Sequence, residues 1–135
     1  MFKNIFKLFL LTTLSFLLAA CGGNSPEKTA KEFMAAAYTG NTDKVLSLVF
    51  VHENDKKAGL EAAIKGKFPP MVQQVKAQAD SFGGVKSISV GSASYSADKS
   101  TATVQTKVTF KNSQTVEESV KLVRDTDKKW KVSIY

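Results

Sequence analysis

The sequence is poor in the residues from which metal centres, disulfides and nucleophilic catalytic sites are built. Its 135 residues include one cysteine and one histidine. A single cysteine cannot form an intramolecular disulfide, and one cysteine with one histidine argues against a zinc cluster. The chain also lacks a glycine-rich phosphate loop, a serine nucleophile elbow and internal repeats. We therefore expect no cofactor and no metal, and a fold that is held together by packing alone.

The first 20 residues have the three parts of a secretory signal peptide. Lys3 and Lys7 give a positive start, an apolar run without acidic residues follows, and Ala19 and Ala20 are the small residues that a signal peptidase requires. The apolar run is about 13 residues long, whereas a helix that spans a bilayer needs about 20. We predict that residues 1–20 are a signal peptide and are removed.

A cysteine follows the two alanines directly. Leu18-Ala19-Ala20-Cys21 resembles the bacterial lipobox. This resemblance implies cleavage between Ala20 and Cys21, a diacylglycerol on the Cys21 thiol, and an acyl chain such as palmitate on the new amine. The alternative is an ordinary signal peptide with a chance cysteine after it. Two or more acyl chains hold a protein firmly on a membrane, at about 0.8 kcal/mol per buried CH2.

The cell envelope is the predicted location of the mature protein. Gly22, rather than an aspartate, follows the cysteine. By resemblance to Gram-negative lipoproteins, this favours the outer membrane, with the protein facing the periplasm or the cell surface. Removal of the signal leaves 115 residues with 17 basic and 12 acidic side chains, a formal charge of +5. We predict a lipidated cysteine and tether at residues 21–25 and a single domain at residues 26–135.

The first half of this domain has the 3.6-residue period of helices. Ser25-Pro26-Glu27 is typical of a helix start and Gly40 of a helix end. Asn41-Thr42-Asp43 predicts the cap of a second, short helix. A third helical region is predicted from about residue 58 to residue 82. We expect Pro69-Pro70 to break or kink it, because proline removes a donor and clashes with the preceding turn.

From residue 85 the apolar period changes to two, which predicts four strands with one buried face each. Turns are predicted at 97–100, 112–114 and 125–127. The apolar positions of the last three strands are all even-numbered, so three-residue loops would set Phe110 opposite Val116 and Leu122 opposite Trp130. In the first strand the apolar positions change from even-numbered to odd-numbered, which predicts a β-bulge near Gly91-Ser92.

Helices followed by an antiparallel meander predict an α+β fold. Three stretches carry a resemblance to a known superfamily: Ser25-Pro26-Glu27, Gly40-Asn41-Thr42-Asp43-Lys44-Val45, and the ending Val120–Val123 with Lys129–Val132. They are similar to small bacterial lipoproteins of uncharacterised function in the nuclear-transport-factor-two-like (cystatin-like) superfamily. The resemblance covers nearly all of residues 25–135 and is weakest over 52–84. It implies N-terminal helices packed on a curved four-stranded antiparallel sheet that forms a cone.

This superfamily includes isomerases, hydratases and ligand carriers as well as proteins without enzymatic activity, so the fold does not decide the function. An enzyme would need paired acid–base groups that converge inside the cone. The single histidine, His52, lies in a charged loop, and Trp130 is interpreted as a core residue. Tyr38 and Tyr95 are candidates for the cone mouth, although tyrosines usually bury their rings for packing. We favour a binding or structural module that is not an enzyme, with an isomerase- or hydratase-like enzyme as the alternative.

Glu118 is the best candidate for a functional polar group inside the cone. It is even-numbered like the buried residues of its strand, and the predicted registers place it between Val108 and Ile134. A carboxylate there must be paired, hydrogen-bonded or near water. Three arrangements are open. The sheet can splay so that Glu118 reaches solvent at the rim, a helix lysine such as Lys31 or Lys65 can pair with it, or its pKa can be raised in a pocket that binds a ligand.

Odd-numbered strand residues are predicted to point away from the helices. They include four lysines: Lys107, Lys121, Lys129 and Lys131. The predicted register sets Lys121 opposite Lys131, which costs on the order of a few tenths of a kcal/mol. Such lysines discourage edge-to-edge pairing of sheets. The functional alternative is a basic patch that contacts anionic lipid headgroups or cell-wall polymers. An envelope protein is a further candidate partner, and nucleic acid is not expected in this compartment.

Overall fold

In the computed structural model, residues 24–52 and 59–134 are described, with only the backbone at positions 60 and 61. The predicted signal peptide and Cys21 lie outside these residues. The helices are α1 Pro26–Thr39, α2 Thr42–Leu48 and α3 Leu60–Ser81; the strands are β1 Val85–Val90, β2 Ser94–Tyr95, β3 Thr101–Phe110, β4 Thr115–Arg124 and β5 Trp130–Val132. None of these helices has the length and hydropathy needed to cross a membrane. The order of elements confirms the predicted α+β class.

Helix α1 begins and ends at the predicted residues. The Ser25 hydroxyl accepts a hydrogen bond from the Lys28 amide at 3.2 Å, and Pro26 occupies the first turn, where no helical bond is lost. Gly40 ends the helix in the left-handed conformation, with φ of 79°. Between these caps the helix buries Ala30 and Met34 against the sheet.

Helix α3 continues through Pro69 and Pro70. Of the predicted break or kink at this pair, the break is therefore wrong. A proline inside a helix costs about 3 kcal/mol or more, but Ile64 and Val72, on either side of the pair, are 6% and 4% exposed. Packing of both halves against the rest of the domain outweighs the local loss. Gly83 and Gly84 follow the helix with positive φ angles, as expected for its end.

The strands form one antiparallel sheet in the order β1-β3-β4-β5, and β2 also pairs with β3. The sheet curls around the helices as a half-barrel. Strand β3 is central, and its even-numbered residues are all buried: Ala102, Val104, Thr106, Val108 and Phe110. The parity prediction for the buried face is thus confirmed for β3. Beyond β5, the Phe50 amide donates to the Val132 carbonyl at 2.8 Å and covers that edge.

The predicted registers of both hairpins are wrong by two residues. Val116 lies opposite Val108, and Leu122 lies opposite Val132. A shift of two leaves every side chain on its predicted face, since the side-chain period of a strand is also two. Parity alone therefore cannot distinguish the observed register from the predicted one.

Turn chemistry decides the register. The loops have the predicted length of three residues, but they lie at 111–113 and 126–128, as the amide–carbonyl pairs that close them show. In such hairpins the last loop residue is left-handed, and Ser113 and Lys128 have φ angles of 74° and 61°. The Asp125 carboxylate also accepts the Lys129 amide at 2.8 Å, which fixes the second turn.

The predicted β-bulge in the first strand is confirmed. Ile88 pairs with Val108 in β1, whereas Tyr95 pairs with Ala102 in β2, so one extra residue lies between the two segments. The Ala93 amide in this bulge donates to the Glu27 carboxylate at 2.9 Å. A side chain of α1 thus accepts a hydrogen bond from an amide that has no acceptor within the sheet.

Candidate functional site

Two regions of the domain carry polar side chains. We call the first the Asn24 end: residues 24–28, the turns 97–100 and 125–129, and the adjoining residues Tyr95, Arg124 and Trp130. The second is the Glu118 site, which consists of Tyr38, Thr106, Phe110 and Glu118. The Asn24 end contains the start of α1 and the start of β5, joined by a hydrogen bond from the Trp130 amide to the Asn24 side chain. The Glu118 site lies between the end of α1 and the first half of β4.

Glu118 is exposed. Its partner in β3 is Thr106 and not Val108, because of the two-residue shift in register. The prediction that Ile134 lies on its other side is also wrong. Among the described residues, the last hydrogen bond between β4 and the chain after β5 is donated by the Ser133 amide to the Lys121 carbonyl. Glu118 reaches solvent because β4 extends past β5.

Thr106 connects the two strands at this point. Its hydroxyl donates to the Glu118 carbonyl oxygen at 2.9 Å, and its side chain is almost completely buried. The bond satisfies a polar group on an otherwise apolar face of β3. Sequence reasoning missed this residue, although the interruption of the apolar even-numbered series in β3 was a usable signal.

Tyr38 responds to the charge of Glu118. The Tyr38 ring packs edge-on against Phe110, with centroids 5.6 Å apart. Burial first, and the nearby Glu118 carboxylate second, raise the pKa of the Tyr38 hydroxyl above its ordinary value. At neutral pH the site therefore combines a neutral phenol, which can donate a hydrogen bond, with an exposed carboxylate, which accepts.

Tyr95 does not share this site. It lies at the Asn24 end, is 50% exposed, and its ring is 5.8 Å from that of Trp130. Its partner Ala102 is eight residues from Phe110 along β3, which is roughly 27 Å at 3.4 Å per residue. Burial and the Glu27 carboxylate raise the pKa of Tyr95, and Arg124 opposes them. The fold therefore separates Tyr95 from Tyr38 and Glu118, the other two candidates for the cone and its mouth.

Trp130 is 6% exposed, which supports its interpretation as a core residue. The Arg124 guanidinium lies 5.8 Å from the centre of its ring, a distance at which a cation is attracted to the ring. Tyr95, Arg124 and Trp130 thus form an aromatic and cationic cluster at the Asn24 end.

The lysine pair at the centre of the predicted basic patch does not form. Lys131 lies opposite Val123, and Lys121 lies opposite Thr103 on β3. The prediction that Lys121 faces Lys131 is wrong for the same reason as the registers. Lys131 instead donates to the Ser47 carbonyl at 2.7 Å, near the end of α2, where the helix dipole favours a cation.

The other two lysines are close to acidic residues in sequence or across the sheet. Lys107 lies opposite Glu117 in the β3–β4 pair. Lys129 closes the turn after β4 through its amide, which donates to Asp125. The outer face of the sheet is therefore of mixed charge around these lysines rather than uniformly basic.

His52 is exposed, and its ring lies edge-on to Phe50 with centroids 4.8 Å apart. Among residues 24–52 and 59–134, no cluster of three or more histidine, cysteine, aspartate or glutamate side chains has the geometry of a metal site.

Comparisons with known proteins agree with this fold. A crystal structure of a protein from Campylobacter jejuni, provisionally named an NTF2-like transpeptidase, matches with a TM-score of 0.69 and 27% sequence identity. The match covers 83% of this chain and 100% of that one. NTF2-like denotes the nuclear-transport-factor-two-like superfamily, so the predicted fold is confirmed. No curated protein matches the chain. The family described as domain of unknown function DUF4878 matches residues 19–133, and the chain therefore belongs to this family.

Proposed function

We propose that the protein is a lipid-anchored binding protein of the bacterial cell envelope, which holds a hydrogen-bonding ligand or partner at the Glu118 site. The observation that carries the proposal is the pairing of an exposed carboxylate with a buried, neutral phenol on a concave face that is otherwise apolar. Glu118 would accept hydrogen bonds from the ligand and Tyr38 would donate one. Phe110 and Val108, which are fully buried, form the apolar core beneath them.

The anchor is supported by the sequence before the described residues. Leu18-Ala19-Ala20-Cys21 follows a signal-like segment in the order that the lipobox requires. The match to the DUF4878 family begins at residue 19 and so includes Cys21. Diacylglycerol and an added acyl chain on Cys21 would hold the domain on a membrane without a spanning helix. Gly22 favours the outer membrane for this anchor.

A binding role fits the site better than acid–base catalysis does. A general base works best with a pKa near the working pH, whereas burial and Glu118 move the pKa of Tyr38 further above neutrality. A covalent transpeptidase, as the name of the Campylobacter jejuni protein suggests for that protein, needs a nucleophile beside a base. The chain has one cysteine, at the proposed lipidation position, and one histidine, His52.

The anchor is tested by intact mass. The mature native protein should begin at Cys21 and carry a diacylglycerol and an acyl chain, and Cys21→Ala should leave the protein unprocessed or outside the detergent phase. A mature N-terminus at another residue, without lipid, would contradict the anchor.

The binding site is tested by comparing Glu118→Gln with Glu117→Gln. Glu117 is the next residue and lies on the opposite face of β4, opposite Lys107, so it is a matched control. Proteins crosslinked to the native protein in cells, and small molecules that co-purify with it, would be identified by mass spectrometry. We expect Glu118→Gln and Tyr38→Phe to lose the same molecules and Glu117→Gln to retain them. Identical molecules from all variants would exclude this site.

A further inference from the structure

Asn24 attaches the N-terminus of the domain to β5. Its side-chain oxygen accepts the Trp130 amide, and its side-chain nitrogen donates to the Thr29 hydroxyl at 3.2 Å. The Thr29 hydroxyl in turn donates to the Trp130 carbonyl at 3.4 Å. Both backbone polar groups of Trp130 are therefore bonded to the start of α1. Asn24 is part of the folded domain, which shortens the tether predicted at residues 21–25.

A short tether limits the distance between the domain and a lipid on Cys21. Asn24 is three residues after Cys21, and an extended chain spans at most about 3.6 Å per residue. The two Cα atoms are therefore at most about 11 Å apart. A Cys21 lipid that is inserted in a bilayer brings the Asn24 end to the headgroup layer, whatever conformation the intervening glycines adopt.

The side chains at this end suit such a surface. Five exposed cations lie there: Lys28, Lys99, Arg124, Lys128 and Lys129. Four acidic residues accompany them: Glu27, Asp98, Asp125 and Asp127. Three of the four acids accept hydrogen bonds from backbone amides, Glu27 from the bulge and Asp98 and Asp125 from their own turns. The half-exposed Tyr95 adds an amphipathic ring of the kind enriched at membrane interfaces.

Two of these lysines occupy unfavourable backbone positions. Lys99 and Lys128 are left-handed, with φ angles of 59° and 61°, one in each turn of the Asn24 end. Glycine or asparagine would fit these positions better. In the turn at the opposite end of the sheet, the corresponding residue is Ser113, with φ of 74°. Backbone strain of this kind is more often found where a side chain serves a function than elsewhere.

We infer that the Asn24 end is the membrane-facing surface of the protein, where Lys99, Lys128 and Lys129 contact the phosphates of phospholipid headgroups. The Glu118 site is thereby directed away from the bilayer. This inference rests on the proposed lipid anchor. The formal charge of the surface is small, so the contact is weak by itself. The tether makes the contact intramolecular, and a weak contact is then sufficient.

Fluorescence quenching at a single introduced thiol tests the orientation. Because lipid occupies the Cys21 thiol, Asp127→Cys or Ser113→Cys provides the one reactive cysteine of each variant. Each variant is isolated with its lipid, labelled, and reconstituted into vesicles of phosphatidylethanolamine and phosphatidylglycerol that contain a headgroup-quencher lipid. We expect severalfold stronger quenching at position 127 than at position 113. Equal or reversed quenching of protein that floats with the vesicles would overturn the orientation alone. Protein that does not float would overturn the anchor and the orientation with it.

Substitution of the turn lysines tests the contact itself. Lys99→Asn and Lys128→Asn keep a residue that tolerates the left-handed conformation, and we expect flotation to be unchanged. Quenching at position 127 should fall, because each substitution reduces the equilibrium constant for contact with the bilayer roughly fivefold. This corresponds to about 1 kcal/mol per basic residue near an anionic surface. Lys111→Asn, in the turn at the opposite end, is the matched control and should change nothing. Unchanged quenching in the double variant would refute the phosphate contact.

Discussion

The Asn24 end and the Glu118 site use their polar side chains in different ways. At the Asn24 end, Asn24, Asp98 and Asp125 accept hydrogen bonds from backbone amides and so fix the start of β5 and two turns. At the Glu118 site the carboxylate is exposed and acts on Tyr38 through its charge. The comparison separates polar groups that build the fold from one that remains accessible to a ligand. Substitution of an acceptor such as Asn24 should therefore cost stability, and substitution of Glu118 should not.

The largest effect is expected for Trp130→Ala. Trp130 is almost completely buried and contacts Tyr95 and Arg124. Removal of a buried tryptophan side chain costs about 3–5 kcal/mol of unfolding free energy. Denaturant unfolding of the full-length mature protein measures this loss. A loss below about 1 kcal/mol would show that the Asn24 end is not part of the core.

Asn24→Ala should cost about 1–3 kcal/mol, because the Trp130 amide would lose its acceptor in a partly buried position. Asn112→Ala is the matched control. The Asn112 side chain accepts the Gln114 amide in an exposed turn, where water can replace it. Equal losses for the two variants would contradict the proposed role of Asn24 in holding the N-terminus to β5.

Lys99→Gly and Lys128→Gly should increase the stability of the protein rather than reduce it. Each replaces a left-handed lysine with the residue that adopts this conformation without strain, so we expect a gain of about 0.5–1 kcal/mol per substitution. Thermal unfolding measures the gain, and exposed Lys107→Gly within β3 should instead be destabilising. A loss of stability at both turns would show that these lysines make contacts that stabilise the fold.

The sequence predicted those features of the fold that depend on side-chain chemistry. The α1 caps and the buried face of β3 follow from residue type and period, and the bulge follows from the change in parity. The hairpin registers were wrong because parity does not detect a shift of two, and the left-handed residues that place the loops are Ser113 and Lys128 rather than glycines. The continuity of α3 was missed because packing on both sides of Pro69-Pro70 is a tertiary effect.

The candidate site was only partly predictable for similar reasons. Parity identified Glu118, but the wrong register gave it the wrong neighbours, and Thr106 was overlooked. Asn24 was also overlooked, because an asparagine after two glycines is typical of a flexible tether. Its role depends on Trp130, 106 residues later in the chain, and such a contact has no signal in local sequence.

The smallest effect on stability is expected for Glu118→Gln. Because Glu118 is exposed, the unfolding free energy of the protein at neutral pH should change by less than about 0.5 kcal/mol.

The same substitution, Glu118→Gln, should lower the pKa of Tyr38, since the carboxylate disfavours the tyrosinate, although burial should still keep this pKa above its ordinary value. A raised folded-state pKa costs stability as pH rises past about 10, the ordinary tyrosine value. Glu118→Gln should therefore lose less stability than the native protein at high pH. Absorbance of tyrosinate during titration measures the shift, and Tyr38→Phe identifies which transition belongs to Tyr38. Glu117→Gln, on the opposite face, should leave that transition in place; an equal shift in both variants would show that Glu118 and Tyr38 do not form a site.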